Sequence, residues 1–205
     1  MQPDCPSIAD LMLLMTSRLE ETARAIDQER AGRFLDEILS AKRIYLAGAG
    51  RSGLVARAFA QRLMHLGFES YVIGETITPA FGHEDVLVAF SGSGETQSVA
   101  DACETAKEIG GKICLITSTP DSHIGRMADC IVEIGNDLFK DPDIPRDFEI
   151  RQLTGQYRSV SLSFAPLGTL FETAALVFSD AVVSALMEVR HCTLEDLRSR
   201  LANVQ

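Results

Sequence analysis

The chain has 205 residues, 46% of them hydrophobic and 23% charged, with a formal net charge of −10. That is enough apolar material for one domain with a substantial core, and the negative charge argues against nucleic acid and anionic membrane surfaces as partners. Five scattered cysteines (Cys5, Cys103, Cys114, Cys130, Cys192) form no CxxC pair, and no His stands at metal-ligand spacing from them; this predicts reduced thiols, a cytoplasmic protein and no metal.

Residues 7–40 read as one or two helices, with apolar stripes at Leu11, Leu14, Met15 and Leu19 and at Ala25, Phe34, Leu35, Ile38 and Leu39. Asp4 and Asp10 stand where a secretory leader would carry positive charge, so no leader is expected. From Arg43 short apolar runs alternate with amphipathic helices. The predicted order is strand 44–47, helix 52–65, strand 71–73, strand 86–90, a helix from Val99 to Ile109, strand 113–117, a short helix at 124–127 and strand 131–134. Repeated β-α-β with near-continuous apolar strands predicts an α/β fold, a parallel sheet covered on both faces by helices. Ligands of such sheets bind beyond the carboxyl ends of the strands, which gathers the loops at 48–53, 74–79, 91–98 and 117–123 around one crevice.

The loop Ser91-Gly92-Ser93-Gly94-Glu95-Thr96-Gln97-Ser98 is the strongest chemical signal. Its glycines allow close backbone approach, and Ser91, Ser93, Thr96 and Ser98 bring hydroxyls to a helix N-terminus, a combination suited to phosphate. A Gly/Ser-rich turn serving only sterics is the alternative. The earlier loop, Gly48-Ala49-Gly50-Arg51-Ser52-Gly53, satisfies GxGxxG, with Glu75 where a ribose-binding carboxylate would lie. The short chain and the stronger phosphate character of the second loop disfavour a dinucleotide.

Residues 135–160 are polar and broken by proline, a length of loop usually tied to function. Residues 161–164 read as a last strand. The helix from Thr169 is apolar on most sides and disrupted by Glu172 and Asp180, so it predicts burial on nearly all faces, shared with a second subunit, rather than a membrane span.

These segments together resemble the SIS (sugar isomerase) family, and its 6-phospho-3-hexuloisomerase branch most closely. The likeness covers about residues 40–192. It is carried by the two glycine loops, Arg62-Leu63-Met64-His65-Leu66-Gly67-Phe68, Gly74-Glu75-Thr76-Ile77-Thr78-Pro79, Pro166-Leu167-Gly168-Thr169-Leu170-Phe171-Glu172 and Arg190-His191-Cys192. Two departures from the family pattern are a longer 135–160 segment and Phe164-Ala165 where a Gln is expected before the proline.

The resemblance implies a three-layer αβα sandwich with a five-stranded parallel flavodoxin-like sheet. It divides the chain into an N-terminal helical segment at 1–40, the isomerase domain at 41–192 and a tail at 193–205. N- and C-terminal helices would form the interfaces of a homotetramer. The implied reaction interconverts D-arabino-hex-3-ulose 6-phosphate and fructose 6-phosphate without metal or organic cofactor. Alternatives are another phosphosugar isomerase, such as one for arabinose 5-phosphate, or a sugar-phosphate-sensing module without catalysis.

Moving a carbonyl from C3 to C2 needs a base that takes the C2 proton and returns one at C3, plus donors for the enediolate oxygen. Glu172 is the candidate base, although Thr169-Leu170-Phe171-Glu172 also fits a T-x-x-E capping box. Arg51, His65 and His191 are the further catalytic candidates, His191 reaching a neighbouring subunit's pocket. Gly50, Ser52, Thr76, Thr78, Ser91, Gly92, Ser93, Thr96, Ser98, Gly168 and Thr169 are the expected substrate-binding positions. His83 and His123 read equally well as surface residues.

Overall fold

The computed structural model describes residues 7–135 and 169–201. The polar 135–160 segment beyond Gly135, the expected strand at 161–164 and Gly168 lie outside the described residues.

Two helices open the chain, α1 (Ile8–Ala25) and α2 (Gln28–Ser40). Then follow β1 (Ile44–Gly48), α3 (Gly50–His65), β2 (Ser70–Val72), β3 (Val86–Phe90), α4 (Gln97–Ile109), β4 (Lys112–Thr117), α5 (His123–Met127) and β5 (Cys130–Glu133). The chain resumes with α6 (Thr169–Val189) and α7 (Leu194–Ser199). The sheet order is β2-β1-β3-β4-β5 and every pairing is parallel. This is the flavodoxin-like order expected from the resemblance. Helix α3 begins two residues earlier than its apolar pattern suggests. Ile73 and Ile134, expected as strand ends, still donate their N–H groups to Leu46 and Thr117 while the chain turns away behind them.

Alternation along the strands splits the interior into two layers. Ile44, Leu46, Val88, Phe90 and Ile116 face α2, α3 and α6, where Phe34, Phe59, Leu63, Ala175 and Leu186 meet them. Tyr45, Ala47, Leu87, Ala89 and Leu115 face α4 and α5, against Val99, Cys103, Ala106 and Ile124. Two buried faces explain why the strands are apolar at consecutive positions. At the amino edge of the sheet, buried Asp85 accepts from Arg43 Nε and Nη2 (3.0 and 2.7 Å) and from the N–H of Gly82, tying the long β2–β3 connection to β1.

Within one subunit, helix α6 is buried on one face. Leu170, Phe171, Ala174, Ala175, Val182, Val183 and Leu186 are buried in the subunit, but Leu176 and Val177 are 38% and 53% exposed. One face therefore belongs to the core and the other is open. Among the described residues α6 is the helix long and apolar enough to cross a membrane, with mean hydropathy 1.6, yet its buried face packs against α3 and α1.

Candidate active site

The parallel sheet delivers the β1–α3 and β3–α4 turns to the same carboxyl edge. In the first turn, a Cβ at Gly48 would lie 2.7 Å from the Ser52 backbone, and one at Gly53 would lie 2.8 Å from the Gly48 carbonyl. The outer glycines of the GxGxxG pattern thus serve strand-to-helix packing in this turn. Gly50 is the first residue of α3, Ser52 is half-buried, and Arg51 projects from the first turn. Glu75, the residue a ribose would need, instead accepts from Arg57 Nε and Nη2 at 3.0 and 2.9 Å.

Side chains of Ser7, Asp27, Ser122 and Thr193 cap α1, α2, α5 and α7. The N-caps of α3 and α4, Ala49 and Thr96, make no side-chain capping bond. Helix starts with open N–H groups favour negative charge. Among the helices whose N-caps are described, the two uncapped starts follow β1 and β3 at the carboxyl edge, while α5, after β4 at the same edge, is capped by Ser122.

Within the β3–α4 loop the hydroxyls are largely spoken for. Ser91 Oγ pairs with Thr96 Oγ1 at 3.1 Å and accepts the Gly94 N–H, while Ser93 Oγ accepts the Glu95 N–H. Ser98 is exposed at the first turn of α4. The loop's carbonyls are held too: Ser91 O by Gly94 N–H, Gly92 O by Ser118 and Thr117, and Gly94 O by Ile124 N–H. Among the described residues, the N–H groups of Gly92, Ser93, Thr96, Gln97 and Ser98 take no acceptor. The loop therefore presents backbone donors where the sequence suggested hydroxyls.

Glu172 stands in the first turn of α6, its side chain 13% exposed, and accepts from Arg51 Nε across 121 residues of sequence. Its carboxylate thus turns to α3 and not back to Thr169, which is already inside the helix. The capping-box alternative is not the arrangement found. Thr169 instead offers its carbonyl to Thr173 Oγ1 at 2.6 Å. An open groove of about 200 Å³ runs from this pair between α3 and α6, lined by Leu54, Val55, Ala58, Thr173 and Leu176.

The other expected residues lie apart from the pair within one subunit. Thr78 Oγ1 is bonded to Val72 O at 2.7 Å, bracing the β2–β3 turn, and Thr76 is exposed on it. His65 ends α3, about 21 Å along the axis from Arg51. It is buried with Nδ1 unpartnered among the described residues. His191 lies two residues beyond α6, exposed and at a positive φ of 51°, at the opposite end of that helix from Glu172. His123 contacts Glu104 at 2.9 Å, and its N–H holds Glu95. No cluster of three or more metal-ligating side chains occurs among the described residues. Phe171, Thr117 and Ser118 touch the 91–98 loop but carry no distinctive sequence signal; only their place at the carboxyl edge of the fold could have drawn attention to them.

The fold and site define a doubly wound α/β protein with a glycine-rich loop of open backbone N–H groups beside a shielded carboxylate. The chain belongs to the SIS domain family: residues 37–137 match the SIS domain model. It is 38% identical to the 3-hexulose-6-phosphate isomerase of Bacillus subtilis over 189 residues, covering 92% of this chain and 95% of that protein. It is 35% identical to the 3-hexulose-6-phosphate isomerase of Mycobacterium gastri over 198 residues, 97% of this chain and 92% of the other. A crystal structure from Methanococcus jannaschii, described as inferring a molecular function of 3-hexulose-6-phosphate isomerase, superposes with a TM-score of 0.74. That protein is 31% identical, with 96% of this chain and 98% of that chain covered.

Proposed function

We propose that the protein is a phosphosugar isomerase that interconverts D-arabino-hex-3-ulose 6-phosphate and D-fructose 6-phosphate. The observation that carries this reading is the meeting of Glu172 with Arg51 beside two uncapped helix starts. The N–H groups of the 91–98 loop and the start of α4 hold the phosphate, fixing the reacting carbons in front of α6. Glu172 removes the C2 proton, giving a 2,3-enediolate. Arg51 donates to the developing oxyanion at O3, the O2 hydroxyl passes its proton to O3 within the bound substrate, and the carboxylic acid of Glu172 then returns a proton to C3. Every proton is accounted for within substrate and carboxyl group, so this route calls on no metal or organic cofactor. The 38% and 35% identities to isomerases of this substrate, each over nearly the whole chain, support the choice of sugar.

His191, exposed and remote from Glu172 in its own subunit, serves a neighbouring subunit's site in a cytoplasmic homotetramer. The open apolar face formed by Leu54, Leu176 and Val177 supports an assembly of this kind. The assay that tests the reading supplies purified protein with hexulose 6-phosphate and measures fructose 6-phosphate, with arabinose 5-phosphate as control. Turnover of the hexulose phosphate is expected. Tight binding without turnover of either sugar would replace the enzyme by a sensor, and preferential turnover of arabinose 5-phosphate would change the substrate.

A further inference from the structure

We infer that Thr117 and Ser118, at the carboxyl end of β4, are positioning residues that aim the backbone donors of the neighbouring loop at the substrate phosphate. This rests on the reading of residues 91–98 as the phosphate site.

The relationship centres on one carbonyl. Gly92 O accepts three hydrogen bonds: from Ser118 N–H at 3.1 Å, from Ser118 Oγ at 2.8 Å and from Thr117 Oγ1 at 3.1 Å. Thr117 is fully buried, and its own Oγ1 also accepts the Thr119 N–H at 3.0 Å, so the hydroxyl is locked in place. A carbonyl oxygen has two lone pairs, and a buried turn is satisfied with one partner. Three donors on one oxygen exceed what burial alone requires.

Their effect follows from peptide geometry. In a trans peptide the N–H points opposite to the C=O. With Gly92 O drawn toward β4, the N–H of Ser93 is turned away from β4, on the side of the crevice. The Ser93 N–H has no acceptor among the described residues. Polarisation through the peptide adds to the orientation, because a carbonyl that accepts strongly makes its own N–H a better donor. Thr117 and Ser118 touch no substrate; they act through the Gly92–Ser93 peptide. A phosphate held by backbone donors in a protein of net charge −10 depends on those donors being fixed before the anion arrives.

The test compares Ser118→Ala, Thr117→Val, their combination and Thr117→Ser. It reads inhibition by inorganic phosphate, KM and kcat for fructose 6-phosphate, and the melting temperature. Ser118 is only half-buried, so its alanine variant reports even if Thr117→Val folds poorly. The double variant is expected to bind phosphate about tenfold more weakly and to raise KM in parallel, with kcat within about twofold of wild type. Thr117→Ser is expected to restore binding. Folded variants with wild-type phosphate inhibition and KM, beside an active wild type, would overturn the inference and leave the isomerase reading standing. A lowered melting temperature with unchanged KM would do the same, assigning the hydroxyls to stability alone. A wild type that neither turns over sugar phosphate nor responds to phosphate would remove both.

Discussion

Gly92 lies under the ring of Phe171, so close that a Cβ at position 92 would stand 3.1 Å from Cδ1 and 3.3 Å from Cγ of that ring. Phe171 directly precedes Glu172 in the first turn of α6. One contact therefore sets the separation between the proposed phosphate loop and the proposed base. Gly92→Ala is expected to push the buried ring and the start of α6 outward, at a stability cost of about 1–3 kcal/mol. Displacement of the carboxylate lowers kcat about tenfold, since a small misplacement of a reacting group is costly. Urea unfolding and steady-state kinetics read the two effects separately. Wild-type kcat in a destabilised variant would show that Phe171 relays nothing to Glu172.

The open side of α6 makes a prediction about assembly. Val182 and Leu186 point into the subunit core, so their replacement by Asp is expected to unfold the protein. Val177 is 53% exposed and Leu54 is 62% exposed. Val177→Asp, away from the groove beside Glu172, is expected to leave the melting temperature within a few degrees while lowering the solution mass toward the 22.3 kDa of one chain. Light scattering at micromolar concentration measures this, and activity is expected to fall with the mass as His191 is withdrawn from its neighbour's site. A wild type that is monomeric and fully active would dismiss both the interface and the shared site.

The sheet was legible in the sequence because its strands are buried on two faces, which leaves runs such as Val86–Phe90 apolar at every position. Helix α6 was legible as a helix too apolar for one subunit to cover alone. An all-round apolar helix signals burial without saying what buries it, and here the subunit covers one face while Leu176 and Val177 remain open. The pairing of Arg51 with Glu172 joins residues 121 apart, and no periodicity encodes it. The hydroxyls of the 91–98 loop were visible as composition, but their direction depends on the backbone: Ser91 and Thr96 bond each other, leaving main-chain N–H groups open.

Cys103, on the sheet-facing side of α4, gives a pH dependence. Burial pushes its thiol from an ordinary 9.0 up to about 12. The folded state therefore keeps a proton that the unfolded chain loses above about pH 8.5, and unfolding is favoured as pH rises through that window. Wild type is expected to lose roughly 1 kcal/mol per pH unit relative to Cys103→Ala between about pH 9 and 11. Parallel urea titrations of the two proteins at each pH check this. A constant difference would mean that the native thiol ionises as freely as the unfolded one.

Glu172→Gln bears most directly on the enzyme reading. The amide keeps the size of the carboxylate and an oxygen that still accepts from Arg51 Nε, so a structural role for the pair survives the change. What it loses is the capacity to take a proton. As the base, Glu172 is expected to account for about 10²–10⁴-fold in kcat, with KM little changed, because phosphate contacts are made in ground and transition states alike. Isotope exchange separates chemistry from binding. In heavy water, wild type is expected to incorporate deuterium at C2 or C3 of the sugar, through the exchangeable carboxyl proton, and the variant is not. Arg51→Met supplies the complementary case: the base remains, the oxyanion loses its donor, and both turnover and exchange are expected to fall. Normal turnover and exchange by Glu172→Gln would release the residue from the chemistry. Glu75, tied to Arg57, and Glu95, tied to the N–H of His123, would then be the next carboxylates to replace.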